Sequence, residues 1–477
     1  MSSRASSVFL ALTLAATLIA GCIGDDDSAR DVAEDGPDLG TFVTPILLDH
    51  DHTDSSLHQL AWNMERTGGT LLSKGARGYA APHALDIKAD KLFVSAYSAT
   101  GDEVAGVYIF DIAADPADPP LLGAWKVRGP GGGDRNMEAT ADGKFVVVSY
   151  EAQDCAGNVG PENAGMHLLD VSDPTAPVEV DYVAITPGET SAAEQHSITI
   201  HSDESGDYVY HGSGDSRLYK IDRTEKKLVP MGGFSSGHDS TTFTDPLTNT
   251  TLLLSADVSR LTIYDLNDPA TPKAVGTWDV PRPETYYVHT AVADHIGGRN
   301  IAIVNSEDFR QDPSAFWVLD ITDPAVPEVL SQWTTPDDVP SGDLTFSLHN
   351  PRIEAGILTF SYYHAGVWQF DLNDNTSWAA PEPRAYYLPH GPVGEAAKPD
   401  GEPVMAKACG LLLDGHHRVP PPDYLPGEGP SRGSLDILMD SVPFTFDVEV
   451  QDGYVYAADV NTGIHVLRFA PGVDEQA

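Results

Sequence analysis

Apolar residues in this chain arrive in short bursts bounded by Gly, Asp and Pro, and no stretch of a dozen residues follows the period of an amphipathic helix. The bursts are rich in β-branched and aromatic residues, the types that suit a pleated, half-buried surface. Many come in pairs joined by a polar turn. In Ala84–Ala96 the turn is Lys88-Ala-Asp-Lys91, with an apolar run on either side. The pattern predicts antiparallel hairpins along most of the chain and an all-β fold.

One phrase recurs: a short hydrophobic strand ending in Asp, a spacer of two or three residues, then Asp-Pro. Val107–Asp111 precedes Asp115-Pro116, and Met166–Asp170 precedes Asp173-Pro174. Leu261–Asp265 precedes Asp268-Pro269, and Phe316–Asp320 precedes Asp323-Pro324. Weaker copies are Arg217–Asp222, Val367–Asp371 and Ile464–Arg468. The strand-ending acids from Asp111 to Asp371 recur at intervals of 43 to 59 residues, the length of a four-stranded unit. The residue types explain the turn, since Asp can accept from the backbone ahead of it and Pro presets φ. The repeat predicts a β-propeller of four-stranded blades, seven in number, with six or eight as the alternatives. Residues near Trp62 to Ser73 look like an outer strand without the three that should precede it. Their simplest use is to complete the blade formed by residues 446–469, so that the N-terminal strand closes the last blade and no edge is left open.

The phrase resembles the LVIVD repeat, a family of propeller lipoproteins of bacterial and archaeal surfaces. The corresponding strands are Val107–Asp111, Met166–Asp170, Leu261–Asp265 and Phe316–Asp320. The resemblance covers roughly residues 75–470. It implies the fold and a place at the cell surface, but no particular activity. The third copy departs from it, because Asp222-Arg-Thr-Glu-Lys226 lacks the Asp-Pro turn. The expected layout is a signal peptide at 1–21, an acidic tether at 22–45 and a lead-in with the closing strand at 46–74. The propeller follows at 75–470, with a Pro-rich insertion at 379–443, and a tail at 471–477.

Charge narrows the partners. The 477 residues carry a formal net charge of −43, with only 21% of residues charged and 41% hydrophobic. That is enough apolar material for a core. The acid excess repels phosphate backbones and anionic lipid headgroups, which excludes nucleic acid and electrostatic membrane docking. It also suits a surface that stays hydrated in concentrated salt, as in halophiles.

The N-terminus predicts export. Arg4 is followed by an uncharged apolar run, Val8–Ala20, too short to span a bilayer comfortably. Leu18-Ile-Ala-Gly-Cys22 resembles the lipobox of bacterial lipoproteins, in which cleavage precedes the Cys and its thiol takes the lipid. Cys22 is the expected lipidation site, and the membrane is expected as a partner through that lipid only. Ile23 after the Cys favours an outer membrane or cell surface. Cys155 and Cys409 remain, and outside the cytoplasm they can pair if the fold brings them together.

Histidine is the one chemical signal. His83, His196, His238, His289 and His349 each stand at the start of a presumed innermost strand, where the blades of a propeller converge. Neutral imidazoles in a ring suit a transition metal such as Zn, Cu or Fe, and Glu138, Glu194, Asp239 and Asp447 could orient their N–H groups. The alternative is structural, with each imidazole tying its blade to a neighbour. No nucleophile elbow, phosphate loop or dinucleotide fingerprint is present. The expected function is therefore a monomeric surface binding or scaffold module that takes a protein or small ligand on a rim. The alternatives are a metal-dependent oxidoreductase or hydrolase at the channel mouth, and a purely structural envelope protein.

Overall fold

The computed structural model describes residues 59–72, 74–75, 78–97, 105–127, 136–150, 165–184, 197–212, 217–234, 237–281, 286–307, 314–334, 346–373, 375–389, 444–460 and 462–476. Cys22, Cys155, Glu194, His196 and Cys409 lie outside them, as do the expected signal peptide and tether.

The described chain is a succession of antiparallel four-stranded sheets, each built from consecutive strands. The first comprises Ala81–Lys88, Lys91–Tyr97, Gly106–Asp111 and Leu121–Lys126. Four more four-stranded sheets follow, beginning with Met137–Ala139, Ser197–Asp203, Asp239–Thr244 and Val288–Ile296. Lys74–Gly75 and Gly78–Tyr79 pair as a small two-stranded sheet, and the remaining strands form one sheet of eight. One half of it runs Pro351–Glu354, Ile357–Ser361, Val367–Asp371, Pro383–Tyr387, and the other runs Thr445–Gln451, Tyr454–Asp459, Gly463–Gln476. Gln59–Thr70 joins the halves. Ala61 and Trp62 pair with Tyr387 and Tyr386. Met64 to Thr70 run antiparallel to Phe469 down to Ile464.

The leading strands of these four-stranded units touch one another in a closed cycle. Ala81–Lys88 meets Met137–Ala139, and contact passes on through Ser197–Asp203, Asp239–Thr244, Val288–Ile296, Pro351–Glu354 and Thr445–Gln451, which returns to Ala81–Lys88. The molecule is a β-propeller, and these strands line its axis. Between neighbouring units lie separate apolar cores. Phe93, Val107 and Ile109 of the first pack on Val146, Val148 and Leu169 of the second. Val94, Tyr108 and Phe110 pack on Tyr456, Ile464 and Val466, sealing the first against the last. Second and third strands are thus buried on both faces, and they read as continuous apolar runs.

The Asp-Pro phrase forms two turns in series. Asp170 accepts from the amide of Ser172 at 3.0 Å, and Asp173 from that of Thr175 at 3.0 Å. Asp320 and Asp323 do the same for Thr322 and Ala325. The third unit keeps only the first turn, with Asp222 accepting from Thr224. The expected insertion begins later than residue 379. A short helix, Asn375–Ala379, leads into Pro383–Tyr387, which is the fourth strand of its unit. Pro383 is tolerated there because it opens the strand and sits at a register shift.

Side chains on the leading strands bind the ring together. Asp447 accepts from the amide of Leu85 at 2.7 Å, Asp86 from Ala139 at 2.7 Å, and Glu138 from Ile200 at 2.6 Å. Thr199 donates to the Ser240 carbonyl at 2.6 Å and Thr241 to that of Ala291 at 2.5 Å. Asp294 accepts from Gly356 at 3.1 Å, and Glu354 from Asp452 at 3.1 Å. Every junction in the cycle carries one such bond. Deleting a buried acceptor leaves an amide unsatisfied, so Asp447→Ala should lower the unfolding free energy by about 2–3 kcal/mol. Asp115→Ala, which removes an exposed turn acceptor, should cost less than about 1 kcal/mol. Urea unfolding of the two variants measures both, and equal losses would contradict the bonding scheme.

Candidate metal centre at the head of the leading strands

The imidazoles are aimed at the axis by irregularities at the strand starts. In the unit beginning Val288–Ile296, the register shifts between Val288 and Thr290, so His289 is an extra residue turned out of the ladder. The same shift falls between Pro82 and Leu85, around His83, and between Thr445 and Asp447, around Phe446. His238 is set differently. Its amide and that of Gly237 bond at 2.5 Å to Ala256 O and Ser255 Oγ. A side chain at Gly237 would place its Cβ 1.8 Å from the Ala256 carbonyl, so only glycine allows this approach.

The result is a continuous collar of rings. Centroids are 4.6 Å apart from His238 to His289, 4.4 Å from His289 to His349, 4.2 Å from His349 to Phe446 and 3.9 Å from Phe446 to His83. All five are buried. The expected ring of five imidazoles is thus three adjacent ones among the described residues, with His83 set beyond Phe446. His196 lies outside the described residues.

Tautomers follow from the hydrogen bonds. Thr290 donates its hydroxyl proton to Asp239 at 2.6 Å, leaving its oxygen to accept from His289 Nδ1 at 2.9 Å. His349 Nδ1 donates to the Phe446 carbonyl. A neutral ring bonded in this way carries its lone pair on Nε2. The two Nε2 atoms face different oxygens of one carboxylate: His289 Nε2 is 3.4 Å from Glu307 Oε2 and His349 Nε2 is 3.7 Å from Glu307 Oε1. Tyr363 donates its phenolic proton to the same carboxylate. Donor atoms of His238, His289 and Glu307 all lie within 4.8 Å of one another.

Of the four carboxylates expected to orient imidazoles, Asp239 does so, through Thr290. Glu138 and Asp447 do not. Their oxygens go to the amides of Ile200 and Leu85 and to the cations Lys88, 3.4 Å from Glu138, and Arg352, 3.8 Å from Asp447. The reason is depth: both sit further along their strands than the rings, where backbone amides of the next unit come within reach. Glu194 lies outside the described residues. Glu307 escapes a reading of the leading strands because it lies outside them. A signal existed, since the position closing the second strand is acidic in several copies, as Asp257, Glu307 and Asp459.

Below the collar runs a half-buried belt of charge. Lys88 bonds Asp86 at 2.8 Å, and Arg352 bonds Glu449 at 2.5 Å. Burial pushes Glu138 and Glu449 up to about 7, although Lys88 and Arg352 respectively pull the other way. Burial also raises Asp447.

No protein-family model matches the chain, and no curated protein matches it. Solved structures do. A putative 6-phosphogluconolactonase from Bacteroides uniformis aligns with a TM-score of 0.51 at 11% identity, covering 81% of this chain and 94% of that one. The periplasmic gluconolactonase of Pseudomonas aeruginosa aligns at 0.47 and 12% identity, over 69% of this chain and 96% of that one. A hypothetical selenium-binding protein from Sulfolobus tokodaii aligns at 0.44 and 12% identity, over 64% and 75%. The likeness is one of fold. No described helix is long and apolar enough to cross a membrane.

The belt sets a pH dependence. A carboxyl whose pKa is higher folded than unfolded binds more protons in the native state, so its contribution is full below the unfolded value and is lost as pH rises through the folded one. Stability should therefore increase as pH falls from about 8 to about 6. Glu138→Gln should flatten that slope, as read by urea midpoints across the range. A slope unchanged by Glu138→Gln and Glu449→Gln alike would contradict it.

Proposed function

We propose that the protein is an exported, lipid-anchored, seven-bladed propeller of the LVIVD kind that serves as a rigid binding platform at the cell surface. The observation that carries this reading is the closed cycle of leading strands, bonded at every junction. Such a ring holds its own shape, so the loops between strands can vary in sequence to suit a ligand. The large negative charge supports a surface exposed to water and salt and unsuited to nucleic acid. Cys22 is the anchor, and the ligand is a protein or small molecule on a rim.

A metal-dependent enzyme is the second reading, favoured by the gathering of His238, His289 and His349 on Glu307. The burial of all four side chains argues for a held ion more than for an open reaction site.

Cys22→Ser should release the protein from the membrane fraction into the medium or periplasm, followed by immunoblot; unchanged membrane retention would remove the anchor. For the platform, full-length protein and a variant lacking residues 391–443 are crosslinked in whole envelopes. A partner held by the first and lost by the second, with an unchanged melting temperature, is the expected result. Absence of any partner for the full chain would overturn the reading.

A further inference from the structure

We propose that His238, His289 and Glu307 hold one zinc ion that staples two consecutive units of the ring. The inference goes beyond the platform reading and does not depend on it.

The donors come from separate strands. His238 precedes Asp239–Thr244, His289 lies in Val288–Ile296, and Glu307 follows Arg299–Ser306. A hydrophobic core alone would not gather three imidazoles and a carboxylate, because burying an uncompensated carboxylate is costly. In this cluster the carboxylate has a phenolic donor, and the nearest imidazole, that of His289, turns Nε2 toward its other oxygen. The lone pair of a neutral imidazole and a carboxylate oxygen repel each other, and a cation between them reverses the sign. Two imidazole nitrogens and one carboxylate oxygen are a donor set suited to zinc, which sits about 2.0–2.2 Å from each donor and keeps a fourth position for water. The 3.4 Å separation between His289 Nε2 and Glu307 Oε2 matches two ligands of one such ion, and the donor atoms of all three residues lie within 4.8 Å of one another.

The surroundings are those of a prepared site. The chain His289–Thr290–Asp239 fixes the tautomer of His289, and Tyr363 holds Glu307. Burial of the three side chains leaves the ion closed in, so its expected role is cohesion of the ring.

The test uses untagged full-length protein, stripped with a chelator and dialysed. Titration with zinc should bind one equivalent and raise the melting temperature. Cobalt(II) in its place should give the intense visible bands of a tetrahedral ion. Glu307→Gln and His289→Gln should each weaken zinc binding by at least about tenfold. His295→Gln, in the same unit but bonded to Asn300, should leave it unchanged. If a cluster variant fails to fold, the cobalt spectrum of the wild type decides alone. Binding below half an equivalent, octahedral cobalt bands, or equal affinity in Glu307→Gln and wild type would each overturn the proposal.

Discussion

A four-stranded sheet cannot bury both faces of its middle strands by itself. Each unit here hides one face on the unit before it and the other on the unit after it, so none is stable alone. Apolar contact supplies most of the driving force but has no direction. The bonds from leading-strand side chains to backbone groups of the neighbouring unit supply direction, because a carboxylate such as Asp86 reaches one amide, that of Ala139, and no other register satisfies it. Placed at every junction, such bonds set the angle between neighbours, and the ring closes only if each step is right.

The axis concentrates charge as a result. Carboxylates chosen for reach must be buried near one another, and Lys88 and Arg352 offset only part of their repulsion. Glu138 and Glu449 sit near 7 because burial disfavours their charge and neighbouring acids add to the effect. Above them the rings of His238, His289, His349, Phe446 and His83 fill the same narrowing space with flat, stackable groups. A phenyl ring in one unit shows that packing by itself accepts a residue without nitrogen. The imidazoles elsewhere therefore point to more than packing.

How far the sequence can be read depends on whether a feature repeats. Asp170, Asp173 and their counterparts are legible because the same acid serves the same turn in several copies. The outer strand is visible at Trp62 for the same reason, as a fragment lacking its unit. Pro383–Tyr387 is hidden because its proline-rich setting resembles a loop and its single strand has no repeat to mark it. Of the centre, the imidazoles of the leading strands can be named, since they recur. Glu307 is marked only by the acid that closes the second strand in several copies, while Thr290 and Tyr363 cannot be named, because they join the site through a bulge and a turn and contacts between units leave no period in the sequence. Glu138 and Asp447 bond backbone amides and cations where imidazoles were expected, because depth along a strand is invisible without coordinates.

The strand Gln59–Thr70 lies against Gly463–Gln476, so one sheet is shared between the two ends of the propeller. That pairing encloses a loop of several hundred residues, and its entropy of closure cannot be offset until the last strands have been made. The disc therefore cannot shut until Gly463–Gln476 has been made. Loss of either of these strands would open a gap in its wall, exposing raw strand margins to any other chain with one to offer.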